Sequence, residues 1–421
     1  MEEISIERHV LGNGLRLVML RRTELPLVAI NLWYHVGSKN ERPGRTGFAH
    51  LFEHMLFQGS EHVGVNDHFR YVQQVGGVAN GSTWFDRTNY YETLPAHQLE
   101  LGLWLEADRM GFLLPAMSAE KLETQRAVVM NERRQRVDNQ PYGRAFERVH
   151  ELLYPETHPY RWPVIGYMED IAAATLADVR EFFSQYYRPN NCVLTLVGDF
   201  DSARARGLVE RYFGDLAAAD RPAPPNAGMP PPRLTVRAET MEDRVRLPRV
   251  YVAWCVPPFG DPSWYAASML ASVLTGGKAS RLYRDLVYER ELAQSVVCSV
   301  FPTEECATFG VVVTGRPDGD VDQLRDEIFG AIRRVGEDGI RGDEHARALN
   351  GVLTGHYHEL QSLDHLADSI SAATTFFDQP ERALHEHDAY RAVTPEDVRA
   401  LVGQYLDARG ATLVAVVPEK G

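Results

Sequence analysis

Between residues 1 and 35 the apolar positions come in groups of strand length. LRLVML alternates, and LPLVAINLWYHVGS is a long run of β-branched and aromatic residues that suits a sheet covered on at least one face. The period then lengthens. In GRTGFAHLFEHMLFQGS the apolar residues recur at helical spacing and predict a buried helix. VNDHFRYVQQVGG reads as a short helix stopped at Gly76-Gly77, and GVANGSTWFDRTNYYETL returns to strand. MSAEKLETQRAVVMNERRQRVDNQPYG predicts a long helix starting near Ser118, a good N-cap. It sets Leu122, Gln125, Val128, Val129 and Glu132 on one stripe, with Arg133, Arg134 and Arg136 on the other faces.

The pattern breaks at residues 216–233, LAAADRPAPPNAGMPPPR, where six prolines leave little periodicity. This predicts a semi-rigid Pro-rich linker, about 50 Å long when extended at about 3.1 Å per residue, between a domain at 1–215 and one at 234–421. The two halves resemble each other: TLADVREFFSQYY at Thr175 recurs as TPEDVRALVGQYL at Thr394, each followed by a strand-like run.

Composition narrows the classes. A chain of 421 residues with 44% hydrophobic content has the make-up of a soluble globular protein of two or three domains. Its formal charge of −14 argues against nucleic acid as a partner and is compatible with cationic peptides. No apolar run reaches membrane-spanning length, and the N-terminus lacks a basic region followed by an apolar core, so no membrane association is expected. Cys192, Cys255, Cys298 and Cys306 are scattered without a C-x-x-C pair and read as buried free thiols. A cytoplasmic location fits, with the bacterial periplasm as the alternative.

The candidate chemistry lies in His50-Leu51-Phe52-Glu53-His54. On a helix His50, Glu53 and His54 fall within about a 100° arc. Two neutral imidazoles there can hold a zinc ion, and a carboxylate beside them can take a proton from water. The order His-x-x-Glu-His is the inverzincin pattern. The same residues would also serve as two core histidines satisfied by hydrogen bonds. A catalytic zinc site usually has a third protein ligand, and Glu132, a carboxylate on an apolar helix face, needs a cation. The paired histidines of HYHEL (His356, His358) and HEHD (His385, His387) are spaced i, i+2, do not share a helix face, and read as solvated surface.

HLFEH followed by a Glu in the context VVMNE closely resembles the pitrilysin and insulin-degrading metallopeptidases and the mitochondrial processing peptidase. GGVANGSTWFDRTNYYETLP, HPYRWPVIGYMEDI and FFSQYYRPNNCVLTLVGDF resemble family segments in family order. The resemblance implies zinc held by His50, His54 and Glu132, with Glu53 as general base. It implies an α+β fold of two homologous sandwich domains, each with helices packed on a mostly antiparallel sheet. It also places an edge strand beside the zinc at Asn80, Gly81, Ser82 and Thr83, where an extended peptide substrate would add as a further strand. Asn131, Gln125 and Asn80 are candidate groups around the metal or cleft.

Two departures from that pattern carry expectations. Gln125 stands where the family places a second Glu, one helical repeat before the third ligand. In the second half the repeat maps His50 to Ser268, Glu53 to Ala271, His54 to Ser272 and Glu132 to Asn350 or Gly351, so every ligand is lost. That half should shape a wall of the substrate cavity. Val287 and Gln294 occupy the positions where single-chain relatives carry an Arg and a Tyr that assist at the substrate carbonyl. A zinc-bearing subunit of a heterodimer whose homologous partner supplies Arg and Tyr is therefore expected, otherwise a homodimer, cleaving unfolded peptides inside a closed chamber. The alternatives are a non-catalytic scaffold subunit of a larger assembly and a zinc module that captures peptides without cutting them.

Overall fold

The computed structural model describes residues 5–220, 225–231 and 235–419. The strands are β1 (Ile6–Val10), β2 (Arg16–Arg21), β3 (Leu27–Tyr34), β4 (Val78–Thr83), β5 (Thr88–Pro95), β6 (Cys192–Gly198), β7 (Arg237–Asp243), β8 (Arg249–Val256), β9 (Ala293–Val300), β10 (Ala307–Gly315) and β11 (Thr412–Pro418). They form two sheets, ordered β1-β2-β6-β3-β5-β4 and β7-β11-β8-β10-β9. Each sheet has one parallel pair, β2 with β6 and β7 with β11, and is otherwise antiparallel. Without β1 the two orders coincide position by position, so the sequence repeat is a repeat of an α+β architecture. The repeated Thr-x-x-Asp makes the same capping box twice, Thr175 with Asp178 and Thr394 with Asp397, each starting a helix.

The compact units do not follow the two halves of the chain. One unit comprises residues 1–133, 163–225 and 358–385; the other comprises 134–162, 226–357 and 386–421. The boundaries 1–215 and 234–421 thus sort the strands, while one segment of each half groups with the sheet of the other half. Part of the linker, residues 221–224 and 232–233, lies outside the described residues. Its described ends are tied down within their own units: Asn13 Nδ2 donates to Leu216 O at 2.9 Å, and the Ala227 and Gly228 N–H groups donate to the Glu305 carboxylate.

In the first unit the sheet is buried on both faces, which is why β3 and β6 are apolar on both sides apart from Asn31 and Thr195 and are buried nearly throughout. One face carries the larger core, with Leu32, Leu194, Phe52 and Phe183. On the other face Val18, Leu20, Trp33 and Val193 meet Leu366, Ala367, Ile370 and Ala373 of the helix Leu363–Phe377. Among the described residues no helix is long and apolar enough to cross a membrane. All four cysteines are free; Cys192 and Cys306 are buried and the other two half-buried.

Candidate active site

The His-x-x-Glu-His segment is helix α1, Phe48–Met55. Phe48, Leu51, Phe52 and Met55 are buried, with Phe52 stacked on Phe183 and Tyr187. That anchoring turns His50, Glu53 and His54 to the opposite side, where all three are half-buried. Two acids unremarked in the sequence fix the start of the helix. Glu41 accepts from the N–H groups of Gly47 and Ala49 at 2.9 and 2.8 Å, meeting donors that a helix start leaves unpaired. Asp170 accepts from the Thr46 N–H and hydroxyl at 3.0 and 2.6 Å. Gly47 has φ +82°, and a Cβ there would come within 2.7 Å of Ile165 O, so glycine is required at this turn.

With α2 (Asp67–Gln74) and α3 (Leu99–Ala116) following in the chain, Glu132 comes from α4, Ala119–Arg133, whose first turn is capped as expected by Ser118 Oγ accepting from Lys121 N–H at 3.2 Å. Leu122, Gln125 and Val129 are buried on the stripe that carries Glu132. Two expectations for this helix fail. Val128 is 42% exposed, because the buried arc is narrower than the predicted stripe. Arg133 is buried, its Nη1 donating to Gly166 O at 2.7 Å, and the α-helix passes there into a π-helical stretch, Arg134–Asp138.

Glu132 Oε2 lies 3.2 Å from His54 Nε2 and 3.9 Å from His50 Nε2, with the imidazole centroids 4.9 Å apart. One ligand atom from each of the three lies within 4.8 Å of the others. Ligand bonds of about 2.0–2.2 Å in a tetrahedral arrangement put ligand atoms about 3.4 Å apart, so these two nitrogens and one carboxylate oxygen fit zinc and leave a position open.

Beyond them, Thr83 Oγ1 donates to Glu53 Oε2 at 2.7 Å. Burial lifts the Glu53 carboxyl above its ordinary value, opposed by the Thr83 hydrogen bond and the neighbouring His54. Thr83 belongs to β4, an edge strand as expected. Alternation divides the four residues expected to face substrate. Gly81 and Thr83 face α1, and a Cβ on Gly81 would stand 3.2 Å from both Glu53 Cγ and Tyr90 Cδ1. Ser82 faces the other side, where its hydroxyl donates to Asn89 Oδ1. Asn80 shares the side of Ser82, bonds its own neighbour, Gly81 N–H, at 2.9 Å, and is not a group of the metal cleft. Asn131 is exposed and Gln125 is buried under the stripe.

Trp84 N–H donates to Arg87 O at the hairpin turn. Hydrogen-bonded and non-bonded pairs alternate in an antiparallel ladder, so Ser82–Asn89 and Asn80–Tyr91 carry the ladder bonds. Gly81 and Thr83 therefore aim their backbone groups at the open edge.

In the second unit the counterpart of α1 is the helix Pro262–Thr275, and that of α4 is Gly342–Glu359. A Cβ on Gly351 would lie 4.0 Å from Ser272 Oγ, so the two helices meet as their counterparts do, without ligands. Val287 is half-buried and Gln294 is exposed on β9. His356 and His387, read as surface residues, are half-buried with rings 5.5 Å apart, brought together by two helices far apart in the sequence; His358 and His385 are exposed.

A second cluster escaped the sequence reading: His68 on α2, Glu92 on β5 and Glu106 on α3, all buried. Arg109 pairs with Glu106, and its guanidinium lies 4.1 Å over the Tyr90 ring. Among the described residues, both Glu92 oxygens and His68 Nε2 have no hydrogen-bond partner. With Arg109 counted in, a divalent ion would leave this cluster with a net positive charge, whereas one proton on Glu92 makes it neutral. Burial, reinforced by Glu106 and opposed by Arg109, pushes the Glu92 carboxyl up to about 8. The folded protein thus holds a proton that the unfolded chain releases above its own pKa near 4.5. Stability should fall as pH rises between these values, by up to about 5 kcal/mol, and level off above them. Urea unfolding at pH 5, 7 and 9 should show this slope in the wild type and a shallower one in Glu92→Gln; equal slopes would place the proton elsewhere.

Residues 17–161 match the family model Insulinase (Peptidase family M16), and residues 173–352 match Peptidase M16 inactive domain. The chain is similar to the zinc protease PqqE of Helicobacter pylori, 32% identical over 332 residues that cover 78% of this chain and 74% of the relative. An uncharacterized zinc protease of Streptomyces coelicolor is 26% identical over 96% of this chain and 88% of its own. Among solved structures, a protease from Helicobacter pylori superposes with a TM-score of 0.92 at 27% identity, covering 99% of this chain and all of that one.

Proposed function

Because this chain belongs to the insulinase family of peptidases, M16, we propose that it is a zinc-dependent endopeptidase of unfolded peptides. The observation that carries the proposal is the convergence of His50, His54 and Glu132 from two helices, with Glu53 beside them. His50, His54 and Glu132 would hold the zinc, which would supply a Lewis acid able to lower the pKa of water to near neutral and to polarise a carbonyl. Glu53, oriented by Thr83, takes the proton of the attacking water and returns it to the leaving nitrogen. Half-burial of the site strengthens that electrostatic contribution.

The peptide is aligned by adding as a strand to β4 at Gly81 and Thr83, which demands little of its sequence. Gly81→Pro removes an edge N–H and crowds Glu53, and should raise KM by about tenfold or more at unchanged zinc content. Unchanged KM and kcat would remove β4 from this role.

Val287 and Gln294 offer neither of the groups that assist the carbonyl in single-chain relatives, so a homologous subunit should supply them across a chamber, with a homodimer as the second arrangement. The test is hydrolysis of a mixed library of unstructured peptides by the purified zinc-loaded chain, with and without a chelator. Chelator-sensitive turnover supports the peptidase and a self-sufficient homodimer. One zinc per chain without turnover, regained when a homologous subunit is added, supports the heterodimer. Peptide affinity without turnover under either condition would leave a peptide-capturing zinc module, and a chain without zinc a scaffold.

A further inference from the structure

The edge strand β4 has two faces, and only one looks at Glu53. On the other, Ser82 and Asn89 border a cavity of ≈ 130 Å³, open to solvent past His365. Buried Asn31 lines it, and the first turns of the helix Leu363–Phe377 supply Asp364 and Asp368, which at i, i+4 share one face.

The hydrogen bonds around the cavity show what it lacks. Asp368 Oδ1 accepts from Asn89 Nδ2 at 2.7 Å, Trp33 Nε1 at 2.9 Å and Asn31 Nδ2 at 3.4 Å, leaving Oδ2 outside that set. Asn31 Oδ1, on a residue only 1% exposed, has no hydrogen-bond partner among the described residues. Arg87 Nη1 is turned to the neutral oxygens Ser82 O at 2.8 Å, Ser82 Oγ at 2.5 Å and Asn89 Oδ1 at 3.3 Å. Against desolvation, hydrogen bonds from the Ser362 hydroxyl and His365 N–H hold the Asp364 carboxyl below its ordinary value. The lining therefore has surplus acceptors and, with Asp364 and Asp368 against Arg87, a formal charge of −1. A group that satisfies it must carry positive charge and N–H donors.

We propose that this cavity is a specificity subsite for a Lys or Arg side chain of a peptide added to β4. It rests on the edge-strand proposal above and names the substrate class that proposal leaves open. Residues level with one another on neighbouring strands point to the same face. A peptide residue opposite Gly81 therefore faces Glu53, and the residue opposite Ser82, one position along, faces Asp364 and Asp368. The enzyme selects peptides with a basic residue next to the one held at Glu53.

The test uses the zinc-loaded Glu53→Gln chain, so that peptides bind without being cut. A single Lys, or norleucine as its uncharged counterpart, is walked along a fluorescent ten-residue extended peptide, and affinity is read by polarisation. One position should favour Lys over norleucine by about tenfold. Adding Asp364→Asn should reduce that preference to less than about threefold, with norleucine peptides unaffected. Asp364 makes none of the contacts that Asp368 makes with the sheet, so this change should spare the fold, and an unchanged Tm would verify it. No position-dependent preference, or one that survives both Asp364→Asn and Asp368→Asn, overturns the subsite. If no peptide binds while zinc is present, the edge-strand proposal fails and the subsite with it; if peptides bind equally, only the subsite fails.

Discussion

Replacing Glu53 with Gln should lower kcat on unstructured peptides by about 10³-fold or more while leaving one zinc per chain. Glu53 is not one of the three converging ligand groups, so its loss should not empty the site. Glutamine keeps the shape of the side chain, and its amide oxygen can still accept from the Thr83 hydroxyl. What disappears is the capacity to take a proton. A general base contributes about 10² to 10⁴ in rate, and here the same group also returns the proton to the leaving nitrogen, so the upper part of that range applies. Zinc by atomic emission and kcat measured on the same sample decide the matter. Turnover within tenfold of the wild type, with zinc bound, would take Glu53 out of the role.

His54→Ala should be equally severe by another route. Its Nε2 is the ligand atom nearest Glu132, and without it only His50 and Glu132 remain, 3.9 Å apart. Two ligands do not hold zinc against a modest chelator, so zinc should fall well below one per chain and turnover below detection. The thermal stabilisation that saturating zinc gives the wild type should vanish as well, since binding to the folded state alone raises stability by RT ln(1 + [L]/Kd). Both readings come from one titration, calorimetric Tm against added zinc. Stoichiometric zinc in the variant, or a zinc-dependent Tm equal to that of the wild type, would mean that the metal is held by other groups.

The local parts of this site were readable in the sequence because helical spacing alone puts His50, Glu53 and His54 on one face of α1, and because a carboxylate on an apolar stripe singles out Glu132. The family resemblance added β4 and its edge. What could not be read was set by contacts between residues far apart in the chain. Strand alternation divided Asn80 to Thr83 between two faces, but which pair met Glu53 depended on the register with β5. Arg133 looked like a surface residue until Gly166 O, 33 positions later, was placed against it. Glu41, Asp170 and the buried trio of His68, Glu92 and Glu106 belong to no periodic pattern. Asp364 and Asp368 sit in an ordinary amphipathic stretch more than 270 residues from Asn89.

The helix Leu363–Phe377 gives this chain an order of completion. The last strand of the first sheet ends at Gly198, yet the face formed by Val18, Trp33 and Val193 has nothing to bury against until Leu366 and Ile370 exist. At about 5–20 residues per second, a ribosome takes on the order of 10 to 35 s to make the intervening chain. Throughout that interval the nascent first half carries a bare apolar surface. A chaperone has that long to cover it, and a ribosome that stalls there leaves a half-sheet poised to aggregate.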